Sequence, residues 1–364
     1  MLNDKTIGIV TVYRTENCGS FLQAFVLMNI LKQNGYVVKF VCYNNIFSQV
    51  YSHCVISLKK IIKLDTRGFI LEWKKFLNFK REQKIFPLIP IHNCCKESLS
   101  CVIVGSDTIW NIDAPYFYNN IKRYFGGIFT SKKIKTISYA ASAGNTGKEA
   151  FLSNSDVMSG LRQLDAISVR DSHTQAIVEE VLGEEPIVVC DPTLLWSKEE
   201  YNLLIKDKEK IKDAPILIYY FGIIPTNIIE KILWLKNMTG KRVVSFGENR
   251  SWCDQTVAYD PFTFLQYYRD SSFVITNTFH GTIFSLIYQK KFADYAIGKK
   301  KVEDILYAFG IEERLLSNNA DLILLYQKEI NYVFVESKIQ DMKRDSLKYL
   351  EDQLAMKVGN NYAK

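Results

Sequence analysis

The sequence lacks most of the motifs that assign an enzyme class at sight. It contains no G-x-G-x-x-G, so the dinucleotide fingerprint is absent. Gly144-Asn145-Thr146-Gly147-Lys148 resembles a clipped phosphate loop. It falls short of the full G-x-x-x-x-G-K-[ST] spacing, and Glu149 stands where a hydroxyl would meet magnesium. No G-x-S-x-G nucleophile elbow occurs. The four histidines form no tight cluster with Asp or Glu, and no metal or cofactor is expected. The eight cysteines (Cys18, Cys42, Cys54, Cys94, Cys95, Cys101, Cys190, Cys253) include no C-x-x-C pair, which argues against a zinc knuckle or a thioredoxin motif. No stretch approaches the ~20 apolar residues of a membrane span. Met1-Leu2-Asn3-Asp4-Lys5 runs into a strand with no leader-like n-region, h-region and cleavage site in series. A cytoplasmic protein with free thiols is the expectation.

What is present is an ordinary globular composition, 48% hydrophobic and 23% charged over 364 residues. At ~100–200 residues per domain, the length fits two domains. The net charge of +7 suits anionic substrates or work beside an anionic membrane. It is too weak and too dispersed to indicate nucleic acid.

The chain reads as alternating strands and helices. Thr6–Val12 is a strand, Asn17–Ser20 a break, Phe21–Asn34 a helix ended by Gly35, and Val37–Cys42 a second strand. This βαβ unit implies a parallel sheet with helices on its faces. Further strands are expected at 101–104, 136–141, 166–169 and 187–190, each followed by polar residues or glycine. A second series follows, with strands at 216–220, 243–246, 273–276 and 292–297. Helices are expected over 226–238, 282–288 and 337–356, and one begins near Pro261. The fold class is α/β, with two Rossmann-like doubly wound lobes facing a cleft. The divisions are 1–195 for the first lobe, 196–335 for the second, and 336–364 for a helix and tail. Residues 46–100 form a basic helical insert, with Pro87 and Pro90 marking a loop. Lysines there interleave with Trp73, Phe76 and Phe79. That pattern fits either a solvated helical face or peripheral contact with an anionic membrane.

Ligands of open α/β sheets bind outside the carboxyl ends of the strands. That rule selects the candidate residues. His280 follows the strand 273–276 and precedes a helix, where an imidazole can exchange protons near neutral pH. It could equally cap the turn. Asn277, Thr278 and Gly281 surround it. Asn17 and Gly19 lie at the first strand-to-helix turn, where glycine lets backbone approach a ligand. Ser106 and Asp107 can meet a sugar hydroxyl or cap a helix. Ser142 ends another strand. Arg170 can grip a carboxylate or phosphate in two-pronged fashion, or serve a salt bridge. His53, His92 and His173 are expected to be structural.

Several segments, in their order and spacing, resemble the polysaccharide pyruvyltransferase family. They are Asn17–Gln23, Val104–Asn111, Ile137–Ser142, Ser168–Asp171, Asp191–Leu195 and Asn277–Gly281. The resemblance implies a fold like that of GT-B glycosyltransferases. It implies phosphoenolpyruvate as donor and, as acceptor, a sugar of a capsule or exopolysaccharide, as a lipid-linked precursor. The product would be a cyclic ketal, with His280 as acid or base and Arg170 on the donor. Some members carry arginine where this chain has Thr278, so either Arg170 or a lysine must neutralise the donor here, or the donor differs. A nucleotide-sugar glycosyltransferase and a non-catalytic glycan-binding protein are the rival readings.

Overall fold

The computed structural model describes residues 6–42, 65–94, 99–130, 134–317 and 322–354. Two five-stranded, wholly parallel sheets dominate it. The first contains β1 (Thr6–Val10), β2 (Val37–Cys42), β3 (Leu88–Pro90), β4 (Cys101–Val104) and β5 (Lys135–Ser138) in the order β3-β2-β1-β4-β5. A two-stranded sheet of β6 (Ser168–Val169) and β7 (Ile187–Val188) follows. The second large sheet contains β8 (Ile216–Tyr219), β9 (Val243–Phe246), β10 (Gln255–Val257), β11 (Phe273–Thr276) and β12 (Lys291–Asp294) in the order β10-β9-β8-β11-β12. The two sheets repeat one topology. In each, the strand order reverses beside the first strand of the lobe, between β1 and β4 and between β8 and β11. Such reversals open a crevice at the carboxyl ends of those strands.

The strands form where apolar runs can be buried on both faces, as parallel sheets require. All four residues of β4, β8, β9 and β11 are buried. The helix Cys18–Gln33 is apolar almost all round and lies between the first sheet and the link joining the lobes. That link is a short 3-10 turn, Pro192–Leu195, capped by Asp191. The final helix, Tyr332–Leu354, returns to the first lobe. Tyr349 Oη donates to the Ser138 carbonyl at 2.8 Å, and the Cys190 N–H donates to Ser346 Oγ at 2.8 Å. One apolar cluster runs continuously through the first sheet, the link, the second sheet and this helix.

Several expectations need correction. Residues 88–90 are an edge strand and not a loop, because an edge tolerates the N–H that Pro90 lacks. The strands near 166–169 and 187–190 shrink to two paired residues each, outside the main sheet, although single bridges link Ala166 to Ile137 and Val169 to Ala141. The strand β10 was not expected; it holds only three residues at an edge. The helix expected from Thr282 begins at Phe279, which places His280 inside its first turn.

Within the insert, the helix Thr66–Glu82 turns Phe76 and Phe79 inward. Phe79 packs edge-on to Tyr259 of the second lobe, and Asn78 Nδ2 donates to the Ala258 carbonyl at 3.2 Å. Its aromatic face therefore bridges the lobes. His53, Cys54, Cys95 and the lysines at 59, 60 and 63 lie outside the described residues. Cys18, Cys42, Cys94, Cys101, Cys190 and Cys253 are free thiols. Among the described residues, no helix is long and apolar enough to cross a membrane.

Candidate active site

A cleft of about 400 Å³ opens where the two crevices face each other. The first lobe contributes Asn17, Ser20, Asp107 and Asn111, and the second contributes Phe221, Thr278, His280, Lys299 and Lys301. The topology explains this convergence, since nearly all these residues follow the carboxyl ends of β1, β4, β8, β11 and β12.

His280 is the best-held group in the cleft. Its imidazole is 7% exposed. Nε2 lies 3.5 Å from Oδ2 of Asp191 and has no other partner among the described residues. The opposite edge of the ring rests on Gly19. A Cβ added there would sit 2.1 Å from both Cγ and Nδ1 of His280, so only glycine permits the approach. The first lobe thus seats the histidine of the second.

Asp191 is wholly buried and shared. Its Oδ2 accepts from Arg170 Nη1 at 2.9 Å, and its Oδ1 accepts from the N–H and Oγ1 of Thr193. Burial alone would push this carboxyl up. His280, Arg170 and the Thr193 N–H outweigh that and hold it well below the usual carboxylate range. It sits on the link between the lobes, so the connection itself carries the histidine's partner.

Asp107 faces His280 from the first lobe. Its backbone takes a φ of 68°, which is rare for a residue with a side chain. Its carboxylate accepts from Ser20 Oγ at 2.5 Å and from the Thr108 N–H at 2.8 Å. Burial pushes its carboxyl up, but His280, Arg170 and Ser20 together bring it below its ordinary value. It is therefore an ionised acceptor at neutral pH.

Of the ten residues singled out in the sequence, Asn17, Asp107, Thr278 and His280 line the cleft. The other six stand behind it. Arg170 is 5% exposed, paired with Asp191 and stacked 4.4 Å from the Phe279 ring, which matches the salt-bridge reading. Ser106 Oγ donates to Gln23 Oε1 at 2.5 Å, inside a buried network with Thr11. Ser142 Oγ donates to Asp171 at 2.6 Å. Asn277 clamps the N–H and carbonyl of Phe221 with its side-chain amide. Gly281 donates its N–H to Thr278 Oγ1, and Gly19 supports the imidazole. His173 contacts the Thr146 carbonyl through Nε2, and His92 is exposed.

Sequence reasoning missed Asp191, Lys299 and Lys301 as site residues. Asp191 had a visible signal, a carboxylate closing the last strand before the link. The lysines had a weaker one, a basic run directly after β12.

A family model described as polysaccharide pyruvyl transferase matches residues 17–293, a span that includes His280, Asp191, Asp107 and Gly19. The chain belongs to that family. It is accordingly a transferase of polysaccharide biosynthesis. No curated protein matches it. Solved structures similar to this pyruvyl transferase family member share its fold at low identity. UDP-GlcNAc 2-epimerase from Neisseria meningitidis, bound to UDP-GlcNAc, superposes with a TM-score of 0.57 at 12% identity, covering 96% of this chain and 99% of that one. UDP-GlcNAc 2-epimerase from Methanocaldococcus jannaschii gives 0.55 at 11%, covering 94% and 99%. An α-glucosyltransferase in complex with UDP and DNA gives 0.51 at 10%, covering 95% of each chain. These likenesses establish a GT-B-type fold for this family member and nothing about its ligands.

Proposed function

We propose that the cleft moves the three-carbon group of phosphoenolpyruvate onto two hydroxyls of one sugar in a surface-polysaccharide precursor, forming a cyclic ketal and releasing phosphate. The observation that carries this reading is His280, held on the cleft wall between Gly19 and Asp191. An imidazole fixed in that way presents one nitrogen to a carboxylate and can trade a proton through the other.

The steps balance as follows. A proton adds to C3 of the enol, and C2 becomes electrophilic. One sugar hydroxyl forms a C–O bond to C2 and gives up its proton. The C2–O bond to phosphate breaks, the leaving phosphate taking the electron pair. The second hydroxyl then closes the ketal and gives up its proton. Of the two protons released, one replaces that spent on C3 and the other leaves with phosphate or solvent. His280 delivers the proton to C3 and recovers one from a hydroxyl. Asp191 fixes the ring's tautomer through Nε2, and Arg170 holds Asp191 in place. Asp107, ionised and facing His280, accepts a hydrogen bond from the sugar. The scheme uses no cofactor, since the donor brings its own leaving group. Ile70 and Leu77 stand exposed among the lysines of the helix Thr66–Glu82, which supports contact of a lipid-linked acceptor with an anionic membrane face.

The test is incubation with phosphoenolpyruvate and a panel of acceptor glycans, following phosphate release and the ketal methyl signal by NMR. Phosphate release that requires both substrates and disappears in His280→Gln is the expected result. Turnover of a nucleotide sugar instead replaces this reading with glycosyl transfer. Glycan binding without turnover, indifferent to His280, leaves a binding module.

A further inference from the structure

The cleft contains two cations that the scheme above does not use. Lys299 and Lys301 both line it, on the same wall as Thr278 and His280. Lys299 is half-buried and donates to the Asn277 carbonyl at 2.6 Å, which leaves its charge without an opposite partner. Lys301 is also half-buried and makes no hydrogen bond or ion pair with the described residues; its ammonium stands 5.9 Å from the Phe279 ring. Surface lysines are normally solvated or paired, and sheltering one without a partner is unfavourable. The protein keeps two in one crevice.

The surroundings add to the positive potential there. Arg170 stands behind Phe279. Two helices, Cys18–Gln33 and Phe279–Ile287, begin at the cleft, and neither has an acidic residue in its first turn. Their N-terminal N–H groups and dipoles favour an anion. The opposing carboxylates are Asp107, which bonds Ser20, and Asp191, which is committed to Arg170 and His280. Thr278, where other members of the family carry arginine, turns its hydroxyl to its own helix and accepts from the Gly281 N–H at 2.9 Å.

We propose that Lys301, with Lys299 beside it, holds the anionic end of the donor against the second lobe. This rests on the donor reading above and supplies the charge that neither Thr278 nor Arg170 brings into the cleft. The group bound is a phosphate or carboxylate. Lysine suits it as a compact point charge on a long stem that can follow phosphate as it leaves.

The test is calorimetric titration of phosphoenolpyruvate and, separately, inorganic phosphate into the full chain near pH 7. Lys301→Gln is expected to weaken phosphoenolpyruvate binding about tenfold or more, the loss of one charge-assisted contact. Lys299→Gln weakens it less. Lys301→Arg retains most of the affinity and guards against a folding artefact, which melting temperatures also check. Lys300→Gln, whose ammonium pairs with Glu303 at 3.3 Å outside the cleft, leaves binding unchanged. His280→Gln binds the donor but does not turn it over. Wild-type affinity in both Lys301→Gln and Lys299→Gln overturns the lysine assignment and leaves the donor reading standing. A wild type that ignores phosphoenolpyruvate but binds a nucleotide sugar, with affinity lost in Lys301→Gln, overturns the donor and keeps the anion site. A wild type that binds none of these anions overturns the assignment outright.

Discussion

The two walls of the cleft come from sheets of identical strand order, yet they are chemically unlike. The first-lobe wall is polar and carries one carboxylate, with Asn17, Ser20, Asn111 and Asp107. The second-lobe wall is cationic and aromatic, with His280, Lys299, Lys301 and Phe221. One topology has thus been fitted with two chemistries through the loops after its strands. An anionic, planar donor matches the second wall. A neutral, polyhydroxylated acceptor matches the first, where amides, hydroxyls and an ionised carboxylate exchange hydrogen bonds with hydroxyl groups. Transfer between two substrates asks for such a division, because each must be recognised by different means and brought face to face.

The sharpest way to break the comparison is His280→Gln. If the second wall does the proton chemistry, phosphate release should fall by roughly 10²–10⁴-fold, the usual worth of a general acid or base. The fold should persist, since glutamine fills a similar space. Near-normal turnover would move the chemistry to the other wall, with Asp107 the first candidate.

Asp191→Asn addresses what holds the walls together. Removing that charge leaves Arg170 buried without its partner, and breaking a buried ion pair typically destabilises by about 3–5 kcal/mol. Urea unfolding should show the loss. The pH dependence has a definite sign. Asp191 is held well below the usual carboxylate range in the folded chain. Its contribution is therefore complete above the unfolded value of about 3.9 and is lost as pH falls toward the folded one. The asparagine variant should lack that part of the acid limb.

Gly19→Ala probes the contact between the walls directly. The added Cβ would overlap the imidazole, so either the ring or the helix start must shift. A misplacement of that kind can reduce turnover by about 10²-fold while leaving donor affinity near wild type. Single-turnover and binding measurements separate the two effects.

How much of this could be read from the sequence follows from the same contact. The strands of both lobes were legible because they are continuous apolar runs closed by polar residues. His280, Asp107 and Asn17 were legible because such ends mark the crevice. The role of Gly19 was not: local spacing shows a turn, while the need for glycine comes from a histidine 261 positions away in the chain. Arg170 and Ser142 failed for a related reason. Both end buried strands, but their partners Asp191 and Asp171 lie behind the cleft, and only three-dimensional packing places them there. Edge strands β3 and β10 carried too few residues, or a proline, for their pattern to register.

A smaller effect sharpens the electrostatic half of the comparison. Burial, and to a lesser extent Arg170 and Lys299, bring the Lys301 ammonium down to about 8, against the opposing pull of Asp107 and Asp171. Below that pH the lysine is charged and anion affinity should be flat. Above it, affinity should fall by up to about tenfold per pH unit as the proton leaves. Titrations with inorganic phosphate at pH 7, 8 and 9 show the trend only once phosphate's own ionisation is complete, near pH 8. Lys301→Arg should flatten the curve over the whole range, since a guanidinium stays protonated.

The smallest expected effect belongs to Thr278, and it decides which of two jobs that residue has. Its hydroxyl accepts from the Gly281 N–H at 2.9 Å and caps the helix that carries His280. Loss of such a cap in Thr278→Ala should lower stability by about 1 kcal/mol, and Thr278→Ser should restore it. If capping is its whole role, donor affinity should change little in either variant, because the lysines supply the charge. A drop in donor affinity in Thr278→Ala that is larger than its loss of stability, and that Thr278→Ser rescues, would show the hydroxyl reaching the donor as well. The cationic wall would then extend by one neutral hydrogen-bonding group, at the position where other members of the family place arginine.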